Sequence, residues 1–340
     1  MNLFSNQMKL TLSIILLYII HAQAQENYFD YHKQIVEAEV AISEEDFTDA
    51  IDIYKSIVED YDYVFVKDLL IAAQIAMLNS ESDLAYSFIE KAIIAGYDCE
   101  CIEKLPLFKD YINASQWNRI KSKSDLYKAE YDSTYHKKLH HEFHFRYKQE
   151  QENKSDRLLR QKYKRIVDDN VSRIQYLMDS IPFPSERIIG LDDGNLFPTT
   201  QGGQLNSCEA GNSKIISILI HYSINHKISS IDKIGLSKFI EAIKTGHLHP
   251  RQFASIHSFN ERPVQRVNNN VAKNSPGLPG YYFNFGFGKK IKDLARVNED
   301  RAEFGICSLE VEKKMEEVAQ KYKLRLSYGC LLYTSDAADE

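Results

Sequence analysis

Apolar and polar positions follow a helical spacing from residue 28 to about residue 126, with little Gly or Pro to interrupt them. Two stretches of this region can be superposed, because Ala38 and Ala73 lie 35 residues apart, and so do Ala50 and Ala85. Small residues at matching positions let two helices approach each other closely within every repeated unit. The pattern therefore predicts two consecutive helical hairpins, each with an alanine contact between its helices.

The 35-residue period and its alanines resemble the tetratricopeptide repeat, a helical hairpin that stacks on its neighbours. The resemblance implies a repeat module with a divergent helical cap over residues 25–126. It also implies a concave, partner-binding face built by the first helix of each unit, whose members are His32, Glu39, Ile42, Lys67, Gln74 and Met77. Two alternatives stay open: a helical bundle whose spacing is coincidental, and a solvated helix face at these six positions.

Residues 127–165 are rich in Lys, Arg, Glu and His, which predicts an exposed helical connector. His136, His140 and His144 recur at four-residue intervals and would share one side of a helix. Two histidines at this spacing can bind a divalent metal ion. The order of residues 140–144 does not match the His-Glu-x-x-His spacing of a zinc peptidase. We therefore predict a solvated polar face, no metal and no cofactor, with a metal site at these histidines as the alternative.

Apolar helices alternate with loops that contain Pro and Gly between residues 166 and 329, which predicts a second, mostly helical domain. Pro184-Ser185, Ile189-Gly190, His221 at the end of an apolar run, and the segment from Arg301 to Gly305 follow one another in this order. The order resembles an uncharacterised bacterial domain family. The Gln and Asp that flank the family's histidine are absent beside His221, which argues against an activity that needs all three.

The N-terminus has the order of a secretory signal. Lys9 precedes an apolar run over residues 10–20, and Ala22-Gln23-Ala24 supplies the small-x-small pattern that signal peptidase accepts. The run is too short for a membrane span, which needs about 20 apolar residues. We predict a cleavable signal peptide over residues 1–24 and an exported protein, periplasmic or secreted, with no transmembrane segment after cleavage. Residues 330–340 resemble a translated sequencing adaptor and are excluded from the fold.

Composition and charge narrow the class of protein. The chain has 44% hydrophobic and 26% charged residues, as ordinary globular proteins do. Its formal net charge of −6 argues against a nucleic-acid partner. Outside residues 330–340 the cysteines are Cys99, Cys101, Cys208 and Cys307. Export permits disulfides, and the sequence does not choose among the possible pairings. We predict ordinary buried cysteines or at most one bridge.

The predicted fold class is mainly α: a repeat module, a long connecting helix and a mostly helical C-terminal domain. From it we predict an exported interaction or scaffold protein that binds a protein or peptide in the repeat groove, without an identifiable catalytic activity. The alternative is an enzyme in which His221 is the general acid or base and Arg301 holds an anionic substrate. A common site for these residues and an acid such as Asp192 would favour the enzyme. An apolar surrounding of His221 would exclude it.

Overall fold

The computed structural model describes residues 27–111, 114–154, 160–192, 208, 210–260 and 293–326. Every regular element within these ranges is a helix, and none of their residues lies in a β-strand. The prediction of a mainly α fold is therefore confirmed. The predicted signal peptide and the adaptor-like segment 330–340 lie outside the described residues.

The N-terminal part begins with four long helices and continues with four others. They are α1 (Tyr28–Ser43), α2 (Phe47–Asp60), α3 (Val66–Leu78), α4 (Ser82–Ile94), α5 (Cys99–Glu103), α6 (Pro106–Tyr111), α7 (Ala114–Lys121) and α8 (Ser124–Thr134). Side-chain caps fix the starts of the first two. The Asn27 side chain accepts a hydrogen bond from the backbone N–H of Phe29, and Asp46 accepts one from that of Asp49.

Helices α1 and α2 pack as one hairpin and α3 and α4 as a second. Alanines lie at the contacts: Ala38, Ala50, Ala73 and Ala85 are all completely buried. A methyl side chain allows two helix backbones to approach closely, and the hydrophobic neighbours fill the remaining space. The repeat module itself stays a prediction, while the two hairpins give the N-terminal part its first hydrophobic cluster.

The remaining helices form the second part of the chain. They are α9 (Lys137–Lys154), α10 (Arg160–Leu177), α11 (Glu186–Ile189), α12 (Ser213–Asn225), α13 (Ser230–Ile234), α14 (Leu236–Lys244), α15 (Pro250–Asn260), α16 (Leu294–Glu303) and α17 (Leu309–Tyr322). Helix α12 is buried on most of its surface, since Ile215, Ile218 and Leu219 have no exposed area. It packs against α9, α10 and α15 and is the centre of this part.

The predicted connector differs from a single exposed helix. Helix α8 ends at Thr134 and α9 begins at Lys137, so the connector is not one continuous helix. Helix α9 then packs against α10 and buries Leu139, Phe143 and Tyr147 in the second hydrophobic cluster. The charged composition hid this apolar stripe, because only three residues at spacings of four carry it.

The two parts of the chain share one hydrophobic cluster. Met315 and Val318 of α17, and Leu324 after it, belong to the cluster of the N-terminal hairpins. Helix α17 packs on α1, and a disulfide between Cys101 and Cys208 joins α5 to the segment before α12. The C-terminal residues therefore cover the side of α1 and α3 on which the sequence predicts a groove.

None of the helices in the described ranges is both long enough and apolar enough to cross a membrane.

Candidate functional site

The three histidines predicted to share one helix side, His136, His140 and His144, have different contact partners. His140 places Nδ1 2.8 Å from the carbonyl oxygen of Ile189, and the backbone N–H of His136 donates to the carbonyl of Ile188. His144 Nδ1 lies 3.3 Å from Lys214 Nζ. Among the described residues, no group of three or more His, Cys, Asp or Glu side chains has the arrangement of a metal site.

A polar seam runs between α9 and α12, which lie side by side in the same direction. The first contact across this seam joins His144 to Lys214. Tyr147 and Ser217 follow one turn further along, and burial raises the pKa of Tyr147 to about 12. The last contact joins Glu150 of α9 to His221 of α12. Spacings of three or four residues on both helices place these side chains on facing stripes.

Glu150 is the buried acid of the seam and has no exposed surface. One carboxylate oxygen accepts a hydrogen bond from Asn170 Nδ2 at 3.0 Å, and the other accepts one from Nδ1 of His221. Asn170 is itself oriented by Arg146, whose Nη1 lies 3.3 Å from its side-chain oxygen. Two donors thus satisfy a carboxylate that would otherwise be costly to bury.

The contact with Glu150 orients the His221 ring. With Glu150 ionised, its carboxylate only accepts hydrogen bonds, and the contact then places the ring proton on Nδ1 and the lone pair on Nε2. Nε2 faces Lys154 Nζ at 3.5 Å, and the His221 side chain keeps 12% of its surface exposed. Lys154 is exposed as a whole, but partial burial of its amine lowers its pKa. The second ring nitrogen, Nε2, therefore lies beside a cation at a partly exposed position.

Asp192 belongs to the other end of the seam. One of its oxygens lies 3.5 Å from Lys214 Nζ and another accepts the backbone N–H of Lys214 at 3.1 Å. Burial raises the pKa of Asp192 despite this neighbouring cation. The acid that orients His221 is therefore Glu150, whereas Asp192 pairs with Lys214.

Arg301 lies in a different cluster from His221. Its side chain is fully buried, donates to the carbonyl of Cys307 at 2.6 Å and forms an ion pair with Glu312 at 2.5 Å. Arg251 shares the same acid and binds Glu39 of α1 at 2.9 Å. The sequence-based pairing of Arg301 with His221 in one site is corrected here: the cation beside His221 is Lys154, and Arg301 helps attach the C-terminal helices to α1.

The residues predicted to line a partner groove are covered by the chain's own C-terminal part. His32, Ile42, Gln74 and Met77 have at most 2% of their surface exposed, Glu39 has 5%, and the Lys67 side chain has 12%. Three of these positions contact residues of the C-terminal part. Their contacts include Glu39 with Arg251, His32 with His249, and Gln74 with Arg325.

Gln74 shows how this face holds the chain. Its side-chain nitrogen donates to the carbonyl of Arg325 at 2.9 Å, and its side-chain oxygen accepts the backbone N–H of Arg325 at 2.8 Å. One amide side chain thus satisfies both backbone groups of a single residue. Leu324, next to it, packs into the N-terminal cluster. The contact uses only backbone atoms of Arg325, so it does not depend on the side chain at that position.

Glu150, Lys154 and Asn170 are the functional candidates that sequence reasoning missed. They lie in charged stretches that predict a solvated surface. One signal was available, because His144, Tyr147, Glu150 and Lys154 follow one another at spacings of three and four, which indicates a continuous helix stripe. The facing residues of α12 lie within a mostly apolar helix, and the sequence alone does not single them out.

Comparisons of the chain with protein-family models, with curated proteins and with solved structures found no match.

Proposed function

We propose that the chain is an exported enzyme whose acid–base centre is His221, oriented by Glu150 and accompanied by Lys154. The observation that supports this proposal best is the hydrogen bond from His221 Nδ1 to the fully buried Glu150. Because this bond leaves Nε2 unprotonated on the exposed side, the imidazole is prepared to take a proton from a bound molecule. A carboxylate on Nδ1 is also the arrangement that orients the histidine of a catalytic triad.

Each residue has a separate role in the proposed chemistry. His221 Nε2 removes a proton from water or from a substrate hydroxyl, and the imidazolium that forms is stabilised by the carboxylate of Glu150. Lys154 Nζ, 3.5 Å from Nε2, stabilises negative charge that develops on the substrate. The chemistry thus belongs to hydrolysis or group transfer, in which a water or hydroxyl nucleophile attacks an electrophilic carbonyl or phosphorus centre.

The charges along the seam favour a substrate with an anionic group. Lys154 stands at one end and Lys214 at the other, and they lie beside His221 and His144 respectively. An acyl or phosphoryl ester that carries a carboxylate or phosphate would have its negative charge near the amine of Lys154, with the reacting bond near His221. Lys214 is buried and paired with Asp192, so Lys154 is the amine that attracts the substrate.

The test is a hydrolysis screen of chromogenic carboxylic esters, phosphate monoesters and phosphate diesters with the chain from residue 25 to residue 329. We expect turnover that falls by roughly 100-fold or more in His221→Gln, as loss of a general base does. Glu150→Gln should lower kcat about tenfold or more, because an amide no longer fixes the ring tautomer. Lys154→Met should reduce kcat/KM for anionic esters more than for neutral ones.

His226→Gln is the matched control, because His226 ends the same helix and stacks on the Tyr222 ring with 4.1 Å between centroids. This variant should keep the activity of the parent chain. Hydrolysis that survives His221→Gln, or that falls equally in the control variant, would refute an acid–base centre at His221. A complete absence of turnover across the ester classes would count against the reaction class proposed.

Binding of an extended peptide is the second candidate function, and it rests on the contact of Gln74 with Arg325. In this proposal the face with His32, Glu39, Ile42, Lys67, Gln74 and Met77 accepts a protein or peptide segment in place of the chain's own residues 324–326. Because Gln74 holds backbone groups, a segment of different sequence can use the same contact.

The test for this candidate uses a labelled peptide of residues 318–328 and a chain that ends at Tyr322. We expect saturable binding by fluorescence anisotropy that weakens about tenfold in Gln74→Ala, because two backbone hydrogen bonds are lost. Gln116→Ala is the control, since Gln116 bonds Asp83 on the exposed side of α7. Equal affinity of both variants would contradict a binding role of this face.

Export is part of the proposal and has one structural support. Cys101 and Cys208 are joined in a disulfide, which forms and persists in the periplasm and outside the cell rather than in the cytosol. Detection of the bridged chain in the periplasmic or culture fraction, with residues 1–24 removed, would support export. Retention of the full-length reduced chain in the cytoplasm would contradict it.

A further inference from the structure

A second group of polar side chains lies away from the α9–α12 seam, where α1 and α3 meet the start of α15. It consists of His32 of α1, Lys67 and Asp68 of α3, and His249 before α15. The rings of His32 and His249 meet edge to face with 4.9 Å between centroids, and Phe65 lies against both. We call these four polar residues the His32–His249 cluster.

Hydrogen-bond donors in this cluster are left without acceptors. His249 Nδ1 accepts the backbone N–H of Arg251 at 3.1 Å, so the ring proton lies on Nε2. That N–H is buried, and the described residues offer it no acceptor. Neither ring nitrogen of His32 has a partner among them either, although His32 has no exposed surface. A buried N–H that bonds nothing costs about 1–3 kcal/mol, so a native protein seldom keeps several of them.

Lys67 adds a positive charge at the edge of the cluster. Its side chain is 12% exposed, and the nearest carboxylate oxygen, Asp68 Oδ1, lies 3.7 Å from Nζ, beyond hydrogen-bonding distance. Burial, followed by the charge of Lys67, lowers the pKa of both His32 and His249. Both imidazoles are therefore neutral at pH 7, and each offers one N–H. The other cation nearby, Arg251, is already bound by Glu39 and Glu312.

The chemistry of these groups selects the class of ligand. A metal ion would need a third ligand, and the described part of the chain holds no suitable group of three His, Cys or acidic side chains. An ammonium and two imidazole N–H groups are instead the donors that oxygen atoms of an anion accept. Asp68 Oδ1 stays available to hold Lys67 in place, and its own pKa is raised by burial.

We propose that the His32–His249 cluster is a binding site for a small oxyanion, whose oxygen atoms accept hydrogen bonds from Lys67 Nζ, His249 Nε2 and the N–H of His32. The ligand enters past Lys67, the one partly exposed member. The bound oxyanion joins α1 and α3 to the segment before α15, so it stabilises the attachment of the N-terminal hairpins to the C-terminal part. This site is independent of the proposed acid–base centre at His221.

The direct test is thermal unfolding of the full chain in increasing inorganic phosphate, at pH 7.5 and at ionic strength held constant with potassium chloride. We expect Tm to rise along a saturation curve. Lys67→Gln should weaken the apparent phosphate affinity at least tenfold, while Lys33→Gln should leave it unchanged, because Lys33 is an exposed lysine of α1 paired with Asp30. Sulfate and acetate in parallel titrations distinguish a tetrahedral anion from a carboxylate as the preferred oxyanion.

His249→Asn refines the assignment, since its side-chain oxygen can still accept the Arg251 N–H but the Nε2 donor is gone. We expect this variant to fold and to bind phosphate at least threefold more weakly.

A second measurement on the unaltered chain does not depend on variant folding. Limited acetylation with an N-hydroxysuccinimide ester, followed by mass spectrometry, should modify Lys67 at least threefold more slowly in the presence of the saturating anion, with Lys33 unaffected. An unsaturable rise of Tm that is equal in the parent and Lys67→Gln chains would overturn the proposal. So would an unchanged acetylation rate of Lys67 with all three anions, since buried water alone would then explain the unpaired donors.

Discussion

Glu150 orients the His221 ring because it is a fully buried carboxylate that bonds two side chains. Asn170 Nδ2 and His221 Nδ1 satisfy its two oxygens, and Arg146 holds Asn170 in turn. In a medium of low polarity such a chain of hydrogen bonds is worth more than the same contacts in water, and its loss is correspondingly costly. The seam therefore contributes both to stability and to the proposed chemistry.

The role of Asn170 in stability gives a prediction at the residue scale. Asn170→Ala removes a donor from a carboxylate with no exposed surface, so we expect the free energy of unfolding to fall by about 1–3 kcal/mol. Urea denaturation followed by circular dichroism measures the change. Asn118→Ala, at an exposed position, should stay within about 0.5 kcal/mol of the parent chain. A change of similar size in both variants would contradict the structural role of Asn170.

Single residues were only partly predictable from the sequence. His221 could be singled out because it follows an apolar helix run. Glu150 and Lys154 could not be paired with it, because 71 residues separate Glu150 from His221 and only the packing of α9 on α12 brings them together. Lys154 in particular lies in a run of charged residues that the sequence alone does not distinguish from a solvated surface.

The alanine contacts act at the scale of elements. Ala85 of α4 is completely buried where this helix meets α3. Ala85→Leu adds volume to a contact without spare space, and we expect it to lower the free energy of unfolding by about 1–3 kcal/mol. Ser87→Leu places the same side chain at an exposed position of the same helix and should change stability by less than about 0.5 kcal/mol. Urea unfolding of both variants is the measurement, and equal stabilities would refute a tight α3–α4 contact.

Helical hairpins were the most predictable elements, because the alanine period records contacts between neighbours in the chain. Coverage of α1 and α3 by the C-terminal part was not predictable in this way. It depends on contacts such as Gln74 with Arg325, 251 residues apart in sequence. Gly305 shows how closely the parts approach. Its φ of 68° suits glycine, and a Cβ there would lie 2.6 Å from Cβ of His32.

Several buried histidines give the whole molecule a pH-dependent stability. Burial lowers the pKa of His247 and of His257 from 6.5 to about 4, and that of His32 and His249 also lies well below 6.5. Between the lowered pKa of the folded state and the ordinary pKa of about 6.5 in the unfolded state, the unfolded chain binds protons that the folded chain does not. Stability is therefore complete above about pH 6.5 and falls as the pH decreases.

The expected loss between pH 7.5 and pH 5.5 is about 1 kcal/mol for each such histidine. Urea unfolding at the two pH values measures it. His257→Gln should reduce the difference by one histidine's share, and His136→Gln, at an exposed position, should leave it unchanged. A stability that is the same at both pH values would show that these imidazoles are not buried in neutral form.

The disulfide acts on the whole molecule because it closes a long loop. Cys101 and Cys208 are separated by 107 residues, so their bridge restricts the unfolded chain strongly. Reduction with dithiothreitol should cost about 2–5 kcal/mol of unfolding free energy and lower Tm. A variant with Cys101→Ala and Cys208→Ala should unfold at the lower temperature with or without the reductant. A parent chain whose Tm does not respond to reduction would contradict this linkage.

The central claim is that Glu150 holds His221 with its proton on Nδ1 and its lone pair on Nε2. Long-range proton–nitrogen correlation NMR on chain labelled with ¹⁵N-histidine tests it most directly, with the His221 signals assigned by their loss in His221→Gln. At a pH where the ring is neutral, we predict the Nδ1–H tautomer in the parent chain and a mixture of tautomers in Glu150→Gln. An Nε2–H tautomer in the parent chain would contradict the proposed acid–base centre. So would a tautomer ratio that is the same in the parent chain and in Glu150→Gln.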